Sequence, residues 1–116
     1  MKITVLGVEY TVLFKPDAEV CADMDVGIGD CGGYCSPHSK TIAIANLDQC
    51  HATEEEKETL RRLNLRHEIV HAFLHESGLA FNANGTDCWA KNEEMVDWFA
   101  IQGPKIYQVW QEAGAI

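Results

Sequence analysis

The chain has few basic residues. Its 116 residues include nine Lys and Arg against 18 Asp and Glu, which gives a formal net charge of −9. Nucleic acids and anionic membrane surfaces attract clustered positive charge, so this balance argues against direct binding to either. It favours a protein or peptide partner instead, and a basic one in particular.

Long apolar runs are also absent. No segment approaches the ~20 apolar residues that a membrane-spanning helix needs, so we expect no membrane association. The first apolar run is short, is interrupted by Glu9, and lacks the small-residue cleavage pattern of a signal peptide. The five cysteines are an odd number, and without an export signal the default is reduced thiols. We therefore expect a cytoplasmic protein.

Internal repeats, linkers and low-complexity tracts are absent as well. A chain of 116 residues is long enough to bury roughly two-thirds of its unfolded surface in one core, and a second domain has no room. We expect one domain over residues 1–116 and a monomer.

Alternating apolar residues predict two pairs of β-strands. Residues 2–6 and 8–14 alternate with a period near two, which indicates a β-hairpin. Residues 32–35 and 41–44 flank a turn at Pro37 and predict a second strand-turn-strand unit. These segments favour a mostly antiparallel sheet of three to five strands.

Helical patterns follow the strands. Residues 53–77 contain no Gly or Pro, and the first of them forms a capping-box pattern with Glu56. Residues 89–102 resume helical spacing, and Pro104 begins a last short helix over residues 105–112. The predicted fold class is therefore α+β, with a small, mostly antiparallel sheet packed on an active-site helix and a second helix.

An H-E-x-x-H pattern lies inside the longest helix, with its histidines at His67 and His71. Residues four apart share a helix face about 6 Å from each other, so both rings can bind one Zn²⁺. Glu68 lies ~100° round the helix, where its carboxylate can accept a proton from metal-bound water as a catalytic base. Leu63 and Leu74 follow the same spacing, so we expect the histidines on or beside the stripe that packs on the sheet.

A catalytic zinc needs a third protein ligand. His75, eight residues after the first histidine, lies ~12 Å along the helix and is too far to share the ion, so we expect it to be solvated. Glu93 is the better candidate, because Asp97 lies one turn later and can accept the far ring N–H of a ligand histidine. Glu93, Glu94 and Asp97 alone would favour a solvated acidic face, but the H-E-x-x-H motif reverses that preference.

The two motifs together resemble those of the gluzincin metallopeptidases. H-E-x-x-H is followed by N-E-x-x-x-D at Asn92, Glu93 and Asp97. In that family the Glu of the second motif is the third zinc ligand, and its Asp supports a ligand histidine. Over roughly residues 32–100 the chain also resembles the ImmA/IrrE-type peptidases of phages and bacteria and the soluble minimal gluzincins.

This resemblance implies a zincin-like fold and a zinc metallopeptidase that hydrolyses peptide bonds of a protein substrate, as an endopeptidase rather than an exopeptidase. A phage-encoded protein of this kind would act in the host cytoplasm. The alternative is a zinc-containing phage accessory protein that keeps the fold and the metal to bind a partner, with little or no turnover.

Further residues have candidate roles around this motif. Gly32, Gly33 and Tyr34 could form an edge strand that pairs with a substrate backbone, although the glycines equally fit the start of a turn. Tyr34 and Tyr107 are both candidate donors to an oxyanion. Cys31 and Cys35, with Cys21 or Cys50, could hold a structural zinc, but C-x₃-C is a loose spacing without a paired C-x₂-C and favours idle or buried thiols.

Overall fold

The computed structural model of the protein describes residues 1–27, 29, 31–82, 88–113 and 116, apart from the side chain of Trp110. Over these residues the fold is α+β, with one four-stranded sheet and three α-helices. The predicted α+β class with a small sheet is confirmed. Each helix in the described part of the chain is too short or too polar to cross a lipid bilayer.

The predicted N-terminal hairpin is confirmed. Strands β1 (Lys2–Val5) and β2 (Val8–Lys15) pair antiparallel, and the turn between them is Leu6-Gly7. Both turn residues have positive φ, as a two-residue turn matched to the twist of the strands requires. The alternation of apolar residues along β2 arises because Tyr10 and the residues on the same face of the strand are buried in the core.

The second strand pair is also confirmed, but the sheet is mixed rather than mostly antiparallel. Strands β3 (Gly33–Ser36) and β4 (Thr41–Ala45) pair antiparallel, whereas β2 and β4 pair parallel in the order β1-β2-β4-β3. After β2 the chain forms helix α1 (Asp17–Met24) and then β3, so that β4 returns beside β2 in the same direction. Strand β4 is accordingly buried along 42–45, as a central strand covered on both faces is.

Helix α2 (Glu54–Glu76) begins where the sequence predicts. The Thr53 hydroxyl accepts the N–H of Glu56, and the Glu56 carboxylate accepts the N–H of Thr53, which confirms the capping box. The helix ends before Gly78, whose φ of 84° is the left-handed conformation that glycine adopts most readily.

The face of α2 that packs on the sheet is not the one that carries the histidines. Leu65, Ile69 and Ala72 contact the sheet cluster, whereas Val70 and Leu74 belong to a second apolar cluster with residues from the 3-10 turn and helix α3. The histidines thus lie beside the stripe that packs on the sheet, within the expected position on or beside it, but Leu74 belongs to the other stripe and not to this one. Because α2 is covered on two sides, its apolar residues form two stripes, and the metal motif lies between them.

The C-terminal helices differ from the prediction. A 3-10 turn (Trp89–Lys91) is followed by one continuous helix, α3 (Glu93–Glu112), which runs through Pro104. Proline has no N–H for the carbonyl of the residue four positions earlier, which here is Ala100. Arg66 of α2 donates its Nε–H to this carbonyl, so the oxygen that Pro104 leaves unpaired is satisfied from another helix. Most of the predicted loop 79–87 falls on residues 83–87, which lie outside the described part of the chain.

Candidate metal site

Two helices bring the predicted site residues together. Helix α2 carries His67, Glu68 and His71, and the first turn of α3 carries Glu93. The side chain of Asn92 accepts the N–H of Met95 and so fixes the first turn of α3 in front of α2. The Asn-Glu pair of the second motif therefore combines a helix cap with a functional carboxylate.

Two ring nitrogens and the Glu93 carboxylate form a small triangle. The Nε2 atoms of His67 and His71 are 3.1 Å apart, Glu93 Oε2 lies 3.0 Å from Nε2 of His67, and Glu93 Oε1 lies 3.2 Å from Nε2 of His71. Ligands of a tetrahedral ion bound at about 2.0–2.1 Å are separated by about 3.3 Å, which is close to these separations. The three motif residues His67, Glu68 and His71 also offer atoms within 4.8 Å of one another, and this group could hold a metal ion.

Asp97 sets the protonation of one of these rings. Its Oδ1 lies 2.7 Å from Nδ1 of His67, and an ionised carboxylate only accepts hydrogen bonds, so Nδ1 carries the proton. The opposite nitrogen, Nε2, then presents a lone pair to the triangle. This orienting hydrogen bond, donated by a ring N–H to a carboxylate, is the arrangement that metal-binding histidines use.

The triangle gathers groups that can bind a metal ion. The Glu93 carboxylate is an acceptor, and burial lowers the pKa of His71, which favours a neutral ring there. A neutral imidazole has one ring nitrogen with a lone pair for a metal ion. The donor set of two imidazoles and one carboxylate thus fits a divalent metal.

Glu68 differs from the other acids of the site in its burial. It is 7% exposed, and this desolvation raises its pKa to about 7; the nearby carboxylates of Glu93 and Asp97 act in the same direction, while His67 opposes them. Its Oε1 lies 4.0 Å from Nε2 of His67. A carboxyl group with a pKa near neutrality, beside a metal-binding triangle, has the properties of a proton acceptor and donor.

A groove of about 560 Å³ opens over this site. Along α2 it extends from Asn64 to His75, which is about 16 Å of helix, and its opposite wall is Gly32 to Cys35. His75 was expected to be solvated, but it is half-buried and lines the groove together with the metal motif. The distance along the helix excludes it as a ligand of the same ion, not as part of the same groove.

The wall opposite the helix is the edge of the sheet. Among the described strands, β3 pairs with β4 alone, and the Ala45 N–H donates to the Gly32 carbonyl at 2.9 Å. Antiparallel strands alternate between residues that bond to the neighbour and residues that point away from it, so the backbone groups of Gly33 and Cys35 face outward. The predicted edge position of this segment is confirmed, although β3 begins at Gly33, one residue later than Gly32.

Helix and strand approach closely at the two glycines. A Cβ at Gly33 would lie 2.6 Å from the backbone carbonyl oxygen of Ala43, whereas a Cβ at Gly32 would lie 2.3 Å from the side-chain amide nitrogen of Asn64, which would have to move. Asn64 is a groove residue that the sequence motif did not reveal, since nothing in its spacing separates it from other polar residues of α2.

The two tyrosines considered as oxyanion donors are placed differently. Tyr34 lines the groove, but its hydroxyl donates to Asp23 at 2.8 Å and lies 3.5 Å from the ammonium of Lys15. Tyr107 is half-exposed on α3 and is not among the residues that line the groove.

The cysteines do not form a second metal cluster in the described residues. There, the group of His, Cys, Asp or Glu side chains found close enough to hold an ion contains no cysteine. Cys35 packs against the sheet cluster, and its burial, together with the charges of Glu68 and Glu76, raises its thiol pKa to about 12.

Comparison of the chain with family models, with curated proteins and with solved structures found no match.

Proposed function

We propose that the protein is a zinc-dependent metallopeptidase with His67, His71 and Glu93 as zinc ligands and Glu68 as the base. One observation carries this proposal: two ring nitrogens 3.1 Å apart, each within 3.2 Å of an oxygen of the Glu93 carboxylate, lie beside a buried carboxyl group that does not belong to the triangle. A zinc site with a purely structural role is normally closed by four protein ligands. Two imidazoles and one carboxylate leave a position open for water, which is the composition of a catalytic site.

Each residue has a defined task in this reaction. Zinc, when bound, would polarise the peptide carbonyl and lower the pKa of water towards ~7. Glu68 accepts a proton from the attacking water and delivers it to the amine nitrogen as the C–N bond breaks. Asp97 holds the proton on Nδ1 of His67 and thereby keeps Nε2 available for the metal.

The groove suggests how a protein substrate lies. An extended peptide placed along β3 could exchange hydrogen bonds with the outward backbone groups of Gly33 and Cys35. The ~16 Å of α2 along the groove corresponds to about five extended residues. Backbone pairing along such a length favours internal peptide bonds over chain ends, and hence an endopeptidase.

The same elements support a zincin-like fold. The active-site helix packs against a small sheet whose edge strand borders the metal motif, and a second helix supplies the remaining carboxylate. In the proposed zincin-like fold, the small sheet is mixed and contains the parallel β2–β4 pair.

Metal content and cleavage test the proposal together. We expect elemental analysis to find one zinc per chain in the wild type and in Glu68→Gln, and a large loss of zinc in His71→Ala. Glu68→Gln should retain the metal and lose cleavage of a denatured protein such as casein, because the amide cannot accept the water proton. Glu94→Gln, next to the proposed ligand, is the matched control and should retain both properties.

The results separate the possible failures. Full zinc content in His71→Ala would refute the ligand assignment, and unchanged cleavage in Glu68→Gln would refute the role of the base. A zinc-loaded wild type that cleaves no protein or peptide would leave the metal site in place and favour the alternative, a zinc-containing accessory protein that binds a partner.

The docking edge is best tested from the substrate side. Gly33→Pro would remove an outward N–H, but it would also place a Cβ against the Ala43 carbonyl and disturb the sheet. A cleaved peptide can instead be resynthesised with single amides replaced by esters, which removes one N–H at a time. We expect alternate positions to lose cleavage, as one edge of a strand requires. Equal effects at neighbouring positions would contradict pairing with β3.

A further inference from the structure

Two cysteines from different elements lie in contact. The Sγ atoms of Cys21, on α1, and Cys31, just before β3, are 3.0 Å apart. A disulfide bond is about 2.05 Å long, so a shift of about 1 Å would bring the sulfurs to bonding distance. Cys21 is 2% exposed, whereas Cys31 is half-buried and lines the groove.

We propose that Cys21 and Cys31 form a reversible disulfide, a modification site that ties α1 to the wall of the groove. This bond is independent of the metal proposal, because neither cysteine belongs to the metal-binding triangle. The sequence alone favoured idle or buried thiols, whereas the fold brings Cys21 and Cys31 together.

Oxidised glutathione is a sufficient oxidant for this step. The half-buried Cys31 thiolate attacks one glutathione sulfur, breaks the glutathione disulfide and releases one glutathione thiolate. The Cys21 thiol then loses its proton, and its sulfur attacks Cys31 Sγ and displaces the second glutathione. Two protein thiols are oxidised and one glutathione disulfide is reduced to two thiols, so atoms and electrons balance.

The bond would act on the groove through its wall. Cys31 is followed directly by Gly32 and Gly33, which form the wall opposite α2. Met24, at the end of α1, lines the same groove. A covalent link between α1 and Cys31 therefore fixes the position of this wall relative to α1. This holds for any ligand of the groove.

The other cysteines provide controls. Cys35 packs against the sheet cluster, and burial holds its thiol pKa well above the ordinary value, which disfavours the thiolate that attacks a disulfide. Cys50 lies in the connection between β4 and α2 and is comparable to Cys31 in exposure. Cys50→Ser is thus the matched control for Cys31→Ser.

The test uses the folded, full-length protein incubated with oxidised glutathione at pH 8 and then with dithiothreitol. We expect a product that is two hydrogens lighter, with peptides containing Cys21 and Cys31 joined after digestion, and we expect dithiothreitol to reverse it. Because the bond closes a short loop between Cys21 and Cys31, it should raise the melting temperature by about 10 °C relative to the reduced form. Cys31→Ser should lose the link and the shift, and Cys50→Ser should retain both.

Other outcomes would overturn the proposal. Stable glutathione adducts without an internal link would show that the two sulfurs do not approach in solution. Links distributed over several cysteine pairs would show that the folded protein does not select this pair. Since the main readout is made on the wild type, a variant that failed to fold would not prevent a decision.

Discussion

Replacement of Glu68 by glutamine should change how stability depends on pH, independently of any activity. The carboxyl group is almost fully buried, and burial raises its pKa to about 7 from an ordinary 4.5. In the unfolded chain the same group ionises near its ordinary value. Between these two values the unfolded state has released a proton that the folded state still holds, so the free energy of unfolding falls as the pH rises.

The size of this effect follows from the shift in pKa. A difference of about 2.5 pKa units at about 1.4 kcal/mol per unit corresponds to about 3 kcal/mol. The stabilising contribution is complete below pH 4.5 and is lost by the time the pH has risen through 7. Glutamine has no proton to lose. As the pH rises from 4 to 8, the free energy of unfolding of Glu68→Gln should therefore increase by about 3 kcal/mol relative to that of the wild type.

Urea unfolding of both proteins across this range, with a chelator present to remove metal ions, measures the difference directly. Taking the difference between the two proteins cancels the titration of His71, whose lowered pKa has the opposite sign. Glu76→Gln is a control on the same helix: hydrogen bonds from Lys40 and Tyr10 lower the Glu76 pKa, so its contribution is present above pH 4.5 and lost as the pH falls. A pH-independent difference between wild type and Glu68→Gln would refute the buried position of Glu68.

The remaining predictions concern the two helices of the site. Asp97→Ala should weaken zinc binding by about 10- to 100-fold in a chelator competition without unfolding the protein, whereas Glu94→Ala should have little effect; equal effects would remove the special role of Asp97. Arg66→Met should destabilise the protein by about 1–2 kcal/mol, because it leaves the carbonyl opposite Pro104 unpaired. Pro104→Ala restores the missing N–H, so the cost of Arg66→Met should shrink in that background; strict additivity in urea unfolding would contradict the coupling.

The parts of the fold that sequence predicts well depend on local interactions. The capping box at Thr53 and Glu56 involves residues three apart, and the first hairpin is closed by a two-residue turn. The spacing of His67 and His71 is likewise fixed by one turn of helix. In each case the contacts that decide the conformation lie within a few residues of one another.

The errors arise where a distant contact decides. Pro104 was expected to begin a new helix, but Arg66, 38 positions earlier in the chain, satisfies the carbonyl that the proline cannot bond. The parallel pairing of β2 with β4 depends on the path of the chain through α1 and β3, which no alternation pattern encodes. His75 lines the groove because the groove runs along α2, a property of the assembled walls rather than of the helix.

For the candidate site as well, sequence spacing predicts some features, and the packing of distant segments decides others. Sequence spacing identifies the motif on α2 and the pair Glu93 and Asp97 on α3. It does not show that Asp97 meets His67 rather than His71, which is a consequence of how the two helices pack. Nor does spacing reveal the contact between Asn64 and Gly32 across the groove.

Diffraction from crystals of the zinc-loaded protein, recorded at the zinc absorption edge, tests the central claim most directly. One anomalous peak per chain is expected, within about 2.0–2.2 Å of Nε2 of His67, Nε2 of His71 and a Glu93 carboxylate oxygen, with Glu68 beside it and not bound. A peak among the cysteines, or one in which Glu68 replaces Glu93 as a ligand, would contradict the assignment.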